Sequence, residues 1–254
     1  MEQKQPLTAE QIKSVKDIGF IRNKNTNEFS GRVITGNGQL TAEQVRTLSE
    51  AALKFGNGTV VFTVRLNAEL PGIDFGDIAA FRDFIAQTGL KTGGTGSRVR
   101  PVVACKGTTC KYGLSDTLNI AAEIHKRFYE GYYDVKLPHK FKIAIGGCPN
   151  NCVKPDLNDV GIVSANISEY CFKVFIGGKW GKKARIGSPL AKLFNKNEMM
   201  DIIEKAILLF LSEGKPGERF GDTVDRLGME KTEEILVSDR LLQNKEKILE
   251  SAKP

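Results

Sequence analysis

The 254-residue chain is poor in the residues that usually announce chemistry: two histidines, one tryptophan, four methionines and five cysteines. No apolar run reaches the ~18 residues that span a bilayer, and Ala206 to Leu211 is the longest such cluster of note. Its first residues, MEQKQPLTAEQIK, mix acids and bases and read as neither a signal nor a transit peptide. A cytoplasmic protein with reduced thiols and no membrane contact is the expectation, so metal or redox chemistry outranks a disulfide framework. Phosphate-binding motifs are missing too. Lys91 to Arg98, KTGGTGSR, lacks the Gly-Lys-Ser/Thr ending of a P-loop, and no GxGxxG opens a helix. It reads as a flexible linker instead. The net charge of +7 is scattered, apart from GGKWGKKARIG (Gly177 to Gly187), and no aromatic-interleaved basic stripe points to nucleic acid. That charge serves either solubility or the holding of anions.

What is present alternates between strand and helix periodicity. Thr-x-x-Gln capping boxes open helices at Thr8 and Thr41, the second ending at Gly56. GRVITGNGQL reads as a strand running into a turn, GTVVFTVRLNAEL as one continuous strand, and DIAAFRDFIAQTGL as a helix. This order suggests a ferredoxin-like α+β domain over residues 1–95. A second α+β domain over 96–254 begins with the strand RPVVAC and the helix SDTLNIAAEIHKRFYEGYY. Three strands follow, FKIAIGG, DVGIVSANI and YCFKVFIGG, and then helices and a charged helical tail after Ser238.

Four of the five cysteines stand in glycine-rich turns after two of these strands: Cys105 and Cys110 in VVACKGTTCKYG, Cys148 and Cys152 in IGGCPNNC. Such turns aim backbone amides at sulfur, as iron–sulfur clusters require, and Gly146 and Gly147 let a bulky group approach the backbone. Cys-x4-Cys and Cys-x3-Cys spacings suit a cluster. A structural zinc or simple burial of the thiols are the alternatives. Cys171 and Trp180 read as core, His125 as structural in its helix, and His139 as a surface residue beside Lys140.

LPHKFKIAIGGCPNNC resembles the signature of the sirohaem-dependent sulfite and nitrite reductases. GTVVFTVRLN, RPVVACKGTTCKYG, FIGGKWGKKARIG and GERFGDTVDRLG are similar to further parts of that family. The resemblance implies a [4Fe–4S] cluster on Cys105, Cys110, Cys148 and Cys152, with Cys152 also bridging to sirohaem. It implies Arg100, Gly147 and Asn150 as further cofactor contacts, and Arg32, Arg65, Lys140 and Lys142 as the catalytic cations around the anion. Lys140 and Lys142 share one face of an extended segment, as a common ligand needs. Arg65 lies in an apolar run, where a charge calls for an anionic partner.

The implied reaction is six-electron reduction of a small oxyanion, sulfite or alternatively nitrite. A non-catalytic electron-transfer accessory is a further possibility. The family's fused enzymes carry two such units, so this single unit is expected to act as a homodimer. It is also expected to draw electrons from a separate donor, such as a ferredoxin or a reductase subunit. The chain departs from the family in its first loop, which has four residues between cysteines where relatives usually have five, and in the RVITGNG that follows Gly31.

Overall fold

A computed structural model describes residues 6–165 and 171–252. The chain divides into two compact units, Met1–Gly96 and Ser97–Pro254.

In the first unit helices α1 (Ala9–Asp17), α2 (Ala42–Phe55) and α3 (Ile78–Ala86) accompany strands β1 (Phe20–Arg22), β2 (Glu28–Val33), β3 (Val61–Phe62) and β4 (Ala68–Asp74). The strands form an antiparallel sheet in the order β1-β2-β4-β3. Both capping boxes form as expected. The Thr8 and Thr41 hydroxyls accept from the backbone N–H groups of Gln11 and Gln44, whose side chains accept in return. Phe29 and Val33 point from β2 into a core with Phe20, Leu70, Ile73 and Phe81. Gly31 keeps the same face open, since a Cβ there would meet Ile73 and Phe20 at 2.9 Å.

Two expectations fail in this unit. The run GTVVFTVRLNAEL is not one strand but a hairpin, β3 and β4 being joined by a tight turn over Thr63–Asn67. The Thr63 hydroxyl accepts from the N–H groups of Arg65 and Asn67, and Leu66 takes a left-handed φ of +61°. The β-branched residues that suggested a strand include Val64, which is 98% exposed. Residues 91–95 are not a loose linker either. Ile34 N–H donates to Lys91, Gly93 N–H donates to Arg32 O, and Thr95 Oγ1 bonds Lys16 O, which ties the segment to β2 and α1.

The second unit holds a five-stranded sheet in the order β5-β6-β7-β8-β9. Strands β5 (Val103–Ala104), β6 (Ile143–Gly146) and β7 (Val160–Ser164) run parallel, while β8 (Phe172–Ile176) and β9 (Ser188–Pro189) run antiparallel. β6 and β7 are buried throughout, the pattern of central strands covered on both faces. The expected strand DVGIVSANI ends at Ser164, and its Asn166 and Ile167 lie outside the described residues, as does Tyr170.

Helix α4 (Thr117–Ile124) does not run on as an α-helix. It passes into a π-helical turn, His125–Glu130. Helix α5 (Lys196–Glu213) is largely buried and precedes α6 (Phe220–Leu227), α7 (Met229–Val237), α8 (Arg240–Gln243) and α9 (Lys245–Ser251). Phe141, Phe210 and Phe220 pack with ring centroids 5.2–5.9 Å apart, fixing α5 and the start of α6 against the entry to β6. No helix among the described residues is long and apolar enough to cross a membrane.

Candidate functional site

Each cysteine pair leaves the C-terminal end of a parallel strand, Cys105 after β5 and Cys148 after β6. The two strands are hydrogen-bonded neighbours, with Ala104 opposite Ile145, so their loops meet. Cys105 N–H donates to Ile145 O at 3.2 Å, and Gly147 N–H donates to Cys105 Sγ at 3.1 Å. Gly147 N–H thus supplies the amide-to-sulfur bond expected of these turns. Leu114 N–H closes the first loop onto Gly147 O at 2.8 Å, and Thr117 Oγ1 donates to Cys105 O at 2.6 Å.

The glycines here are needed by the loops themselves. A Cβ at Gly147 would meet Thr117, Cys105 Sγ and Gly107 at 3.2–3.3 Å, whereas one at Gly146 finds only ordinary contact with Pro155. The bulky neighbour of Gly147 is therefore the first cysteine loop. Gly107 has φ +53°, and a Cβ would lie 2.6 Å from Thr117 Oγ1.

Cys105, Cys110 and Cys148 are half-buried, while Cys152 is exposed together with Pro149 and Asn150. Among the described residues none of the five cysteines forms a disulfide. Nor do any three His, Cys, Asp or Glu side chains among them close on one ion-sized point. A zinc ion would draw four thiolates to roughly 3.8 Å from one another, given Zn–S near 2.3 Å. A cubane cluster carries an iron behind each sulfur and needs a wider cradle.

The donor set fits the cluster: four thiols on two abutting loops, with an N–H already aimed at one sulfur. Beside them Asn151 Oδ1 and Asp156 Oδ1 are buried without a hydrogen-bond partner, although Asn151 Nδ2 bonds Asp156 Oδ2 at 3.0 Å. Exposed Cys152 and Asn150 leave a face on which a flat macrocycle could lie.

The opposite, N-terminal ends of the same strands carry cations. Arg100 precedes β5 and donates its N–H to Phe141 O at 2.8 Å, while Lys140 and Lys142 flank buried Phe141 and share its opposite face. Asp159, fully buried ahead of β7, accepts the Lys142 N–H at 2.8 Å and both bonds of Arg219 Nη2 at 3.1 and 3.0 Å. Burial pushes the Asp159 carboxyl up, against the pull of Arg219 and Lys142. Burial and then the charges of Arg219 and Arg100 hold the Lys140 ammonium below its usual range. His139 is half-buried rather than at the surface. Its Nδ1 accepts the Lys140 N–H at 2.7 Å, and burial and the surrounding cations hold the ring below its ordinary value.

Sequence reasoning missed Arg219. Its only signal was its place in GERFGDTVDRLG, whose Phe220 anchors it in the core.

At about 3.3 Å per residue, Arg100 lies roughly 17 Å from Cys105 along the strand, and Lys142 up to roughly 20 Å from Cys148. Within one chain the second unit therefore separates its cations from its thiols. In the first unit, Arg65 is half-buried in the β3–β4 turn. Arg32 on β2 donates through Nε and Nη2 to Glu69 at 2.8 and 2.6 Å and through Nη1 to Gly94 O at 2.8 Å.

Residues 95–245 match the nitrite and sulphite reductase 4Fe-4S domain, and residues 21–87 match the nitrite/sulfite reductase ferredoxin-like half domain. A nitrite reductase [NAD(P)H] of Emericella nidulans is 26% identical over 80% of this chain and 18% of its own length. A coenzyme F420-dependent sulfite reductase of Methanocaldococcus jannaschii is 26% identical over 73% of this chain and 38% of its own. The chain thus spans well under half the length of these two relatives. The solved structure of the Mycobacterium tuberculosis NirA protein superposes with a TM-score of 0.81 at 18% identity, over 93% of this chain and 48% of that one, and so shares its fold. Sulfite and nitrite reductases of this kind are oxidoreductases that use sirohaem and a [4Fe–4S] cluster. By its larger domain alone, and with the ferredoxin-like half domain in its expected place before it, the chain belongs to the nitrite and sulphite reductase family.

Proposed function

We propose that the chain is the catalytic subunit of a cytoplasmic reductase that takes sulfite to sulfide by six-electron reduction. The observation that carries this reading is the pair of abutting cysteine loops on β5 and β6, with cations on the same two strands. The Methanocaldococcus relative, named for sulfite, supports the substrate and a separate reduced donor. The Emericella relative, named for nitrite, supports the alternative of nitrite to ammonia.

In this reading Cys105, Cys110, Cys148 and Cys152 would hold the cluster, Gly147 would shape its cradle through the N–H on Cys105, Cys152 and Asn150 would hold the sirohaem, and Arg100 would reach it from the partner copy. When bound, the cluster and macrocycle would supply the one-electron steps that a six-electron reduction needs. Lys142 binds the oxyanion and offsets its charge, and Arg65 is the first unit's own candidate cation for such an anion. Lys140, whose ammonium is held below its usual range, releases a proton readily to a departing oxygen. His139 keeps Nδ1 occupied as an acceptor and presents Nε2–H as a second donor. Arg32 reaches an anion only by giving up Glu69.

The strand-length separation between Lys142 and Cys148 supports a symmetric homodimer in which the cations of one copy serve the thiol end of the other. Mixing tests it. Lys142→Ala and Cys152→Ser proteins, each inactive alone with a reduced viologen dye, are unfolded, mixed and reloaded. One intact site in each mixed dimer restores about a quarter of wild-type sulfite turnover. No recovery means that each chain completes its own site. Loaded wild-type protein that turns over neither sulfite nor nitrite with the dye is instead an electron-transfer accessory.

A further inference from the structure

The segment Gly177–Gly187, the one basic concentration in the sequence, folds as a small hairpin. Lys179 and Arg185 pair at its base, each N–H donating to the other's carbonyl at 2.9 Å. Their side-chain charges are already committed, Lys179 to Asp222 and Arg185 to Asp225 at 2.8 Å, while Arg185 Nη1 also donates to Gly177 O at 3.0 Å. Every residue beyond that base, 180–184, is exposed, and so is Ile186 on the strand side of it. Trp180 is 64% exposed and Ile186 68% exposed, and Lys182 and Lys183 are exposed with no ion pair among the described residues. Trp180 is the only tryptophan in the chain, and the expectation that it is core is wrong.

The hairpin also stands on the second cysteine loop. Gly187 N–H donates to Asp156 O at 2.7 Å, Asp156 accepts from Asn151 Nδ2 at 3.0 Å, and Asn151 adjoins Cys152. At Gly178 a Cβ would come within 2.2 Å of Asp156 O, so the base of the hairpin and the cysteine loop are packed backbone to backbone.

We propose that the Trp180–Ile186 hairpin tip is the docking surface for an acidic, iron–sulfur electron-carrier protein. This rests on the reductase reading. In that reading four of the five cysteines hold one cluster, these residues offer no ligands for a second, and electrons from a separate donor enter at the cysteine loops. Charge chooses the partner: the base cations are neutralised and the tip lysines are not, so the tip offers net positive charge to an acidic surface. The exposed indole of Trp180, with exposed Ile186 on the other side of the base pair, supplies the apolar anchor. The doubly tied base presents both without the ordering cost of a loose loop.

The test is calorimetric titration of the loaded protein with an oxidised acidic [2Fe–2S] ferredoxin, alongside turnover with reduced ferredoxin and with reduced viologen dye. In Lys182→Glu/Lys183→Glu and in Trp180→Ala, ferredoxin affinity falls by at least about tenfold and the KM for ferredoxin rises in step. Dye-driven turnover and the melting temperature stay at wild-type values, and added salt erases the difference between wild type and the charge variant. Wild-type affinity in both variants overturns the proposal. So does a change in the number of associated chains, which would make the tip a contact between copies, or equal affinity for a DNA duplex, which would make it a phosphate-binding patch. Absent dye turnover in the wild type defeats the reductase reading instead, and the calorimetry still decides the docking surface.

Discussion

The guanidinium of Arg219 holds both carboxylate oxygens of Asp159, at 3.1 and 3.0 Å, and the two residues lie sixty positions apart. One of those oxygens also takes the Lys142 N–H. A buried carboxylate thus ties the start of α6 to the entry of β6 and sits among Arg100, Lys140, Lys142 and Arg219.

Asp159→Asn removes the carboxylate at the centre of this cluster while keeping its shape. Breaking a buried pair from one side costs about 3–5 kcal/mol. The variant therefore unfolds at markedly lower urea concentration, and Asp159→Asn/Arg219→Gln loses less than the sum of the two single changes. Additive losses would show that the pair acts as two independent groups.

Gly107→Ala and Gly147→Ala separate backbone strain from loop contact. At Gly107 an alanine is forced to a φ of +53° and strikes Thr117 Oγ1, so thermal stability falls by about 1–3 kcal/mol. Gly147 has an ordinary φ, and its new methyl presses on Cys105 Sγ and Thr117 with contacts near 3.3 Å. The expected outcome there is a small loss of stability with a large loss of bound iron on anaerobic purification. Equal iron content in Gly147→Ala and wild type would show that the Gly147–Cys105 contact does not shape the cluster cradle.

Glu218 gives a pH dependence with a definite sign. Hydrogen bonds from Arg226, Lys215 N–H and Thr223 hold its carboxyl down at about 2, against an ordinary value of 4.5. The unfolded chain takes up this proton first, so the contribution of Glu218 to stability is complete above pH 4.5 and is lost as pH falls toward about 2. Melting curves of Glu218→Gln and wild type therefore converge across that window. A gap that persists at the acid end would assign the effect to packing.

How legible the molecule is in its sequence depends on how local each device is. The capping boxes at Thr8 and Thr41 form within a few residues, and both stand where the sequence puts them. The cysteine loops are legible for the same reason, each being a turn at the end of a strand. Arg219 is not, because its partner lies sixty residues away and only the Phe141–Phe210–Phe220 packing brings the two together. Arg65 reads as a strand residue because Val64 and its neighbours are β-branched. The Thr63 hydroxyl and the left-handed Leu66 turn the chain instead. Trp180 reads as core because an indole usually gains by burial, yet this one sits on a hairpin tip whose base is fixed by Asp222 and Asp225.

The central claim is that the loops of β5 and β6 hold a [4Fe–4S] cluster joined through Cys152 to sirohaem. It is tested most directly by an anaerobic visible spectrum with iron, acid-labile sulfide and zinc analysis, on protein expressed with a sirohaem supply. The account predicts sirohaem bands with about four cluster irons and one haem iron per chain, and loss of the haem bands in Cys152→Ser. One zinc per chain, or a colourless protein without metal, would contradict it.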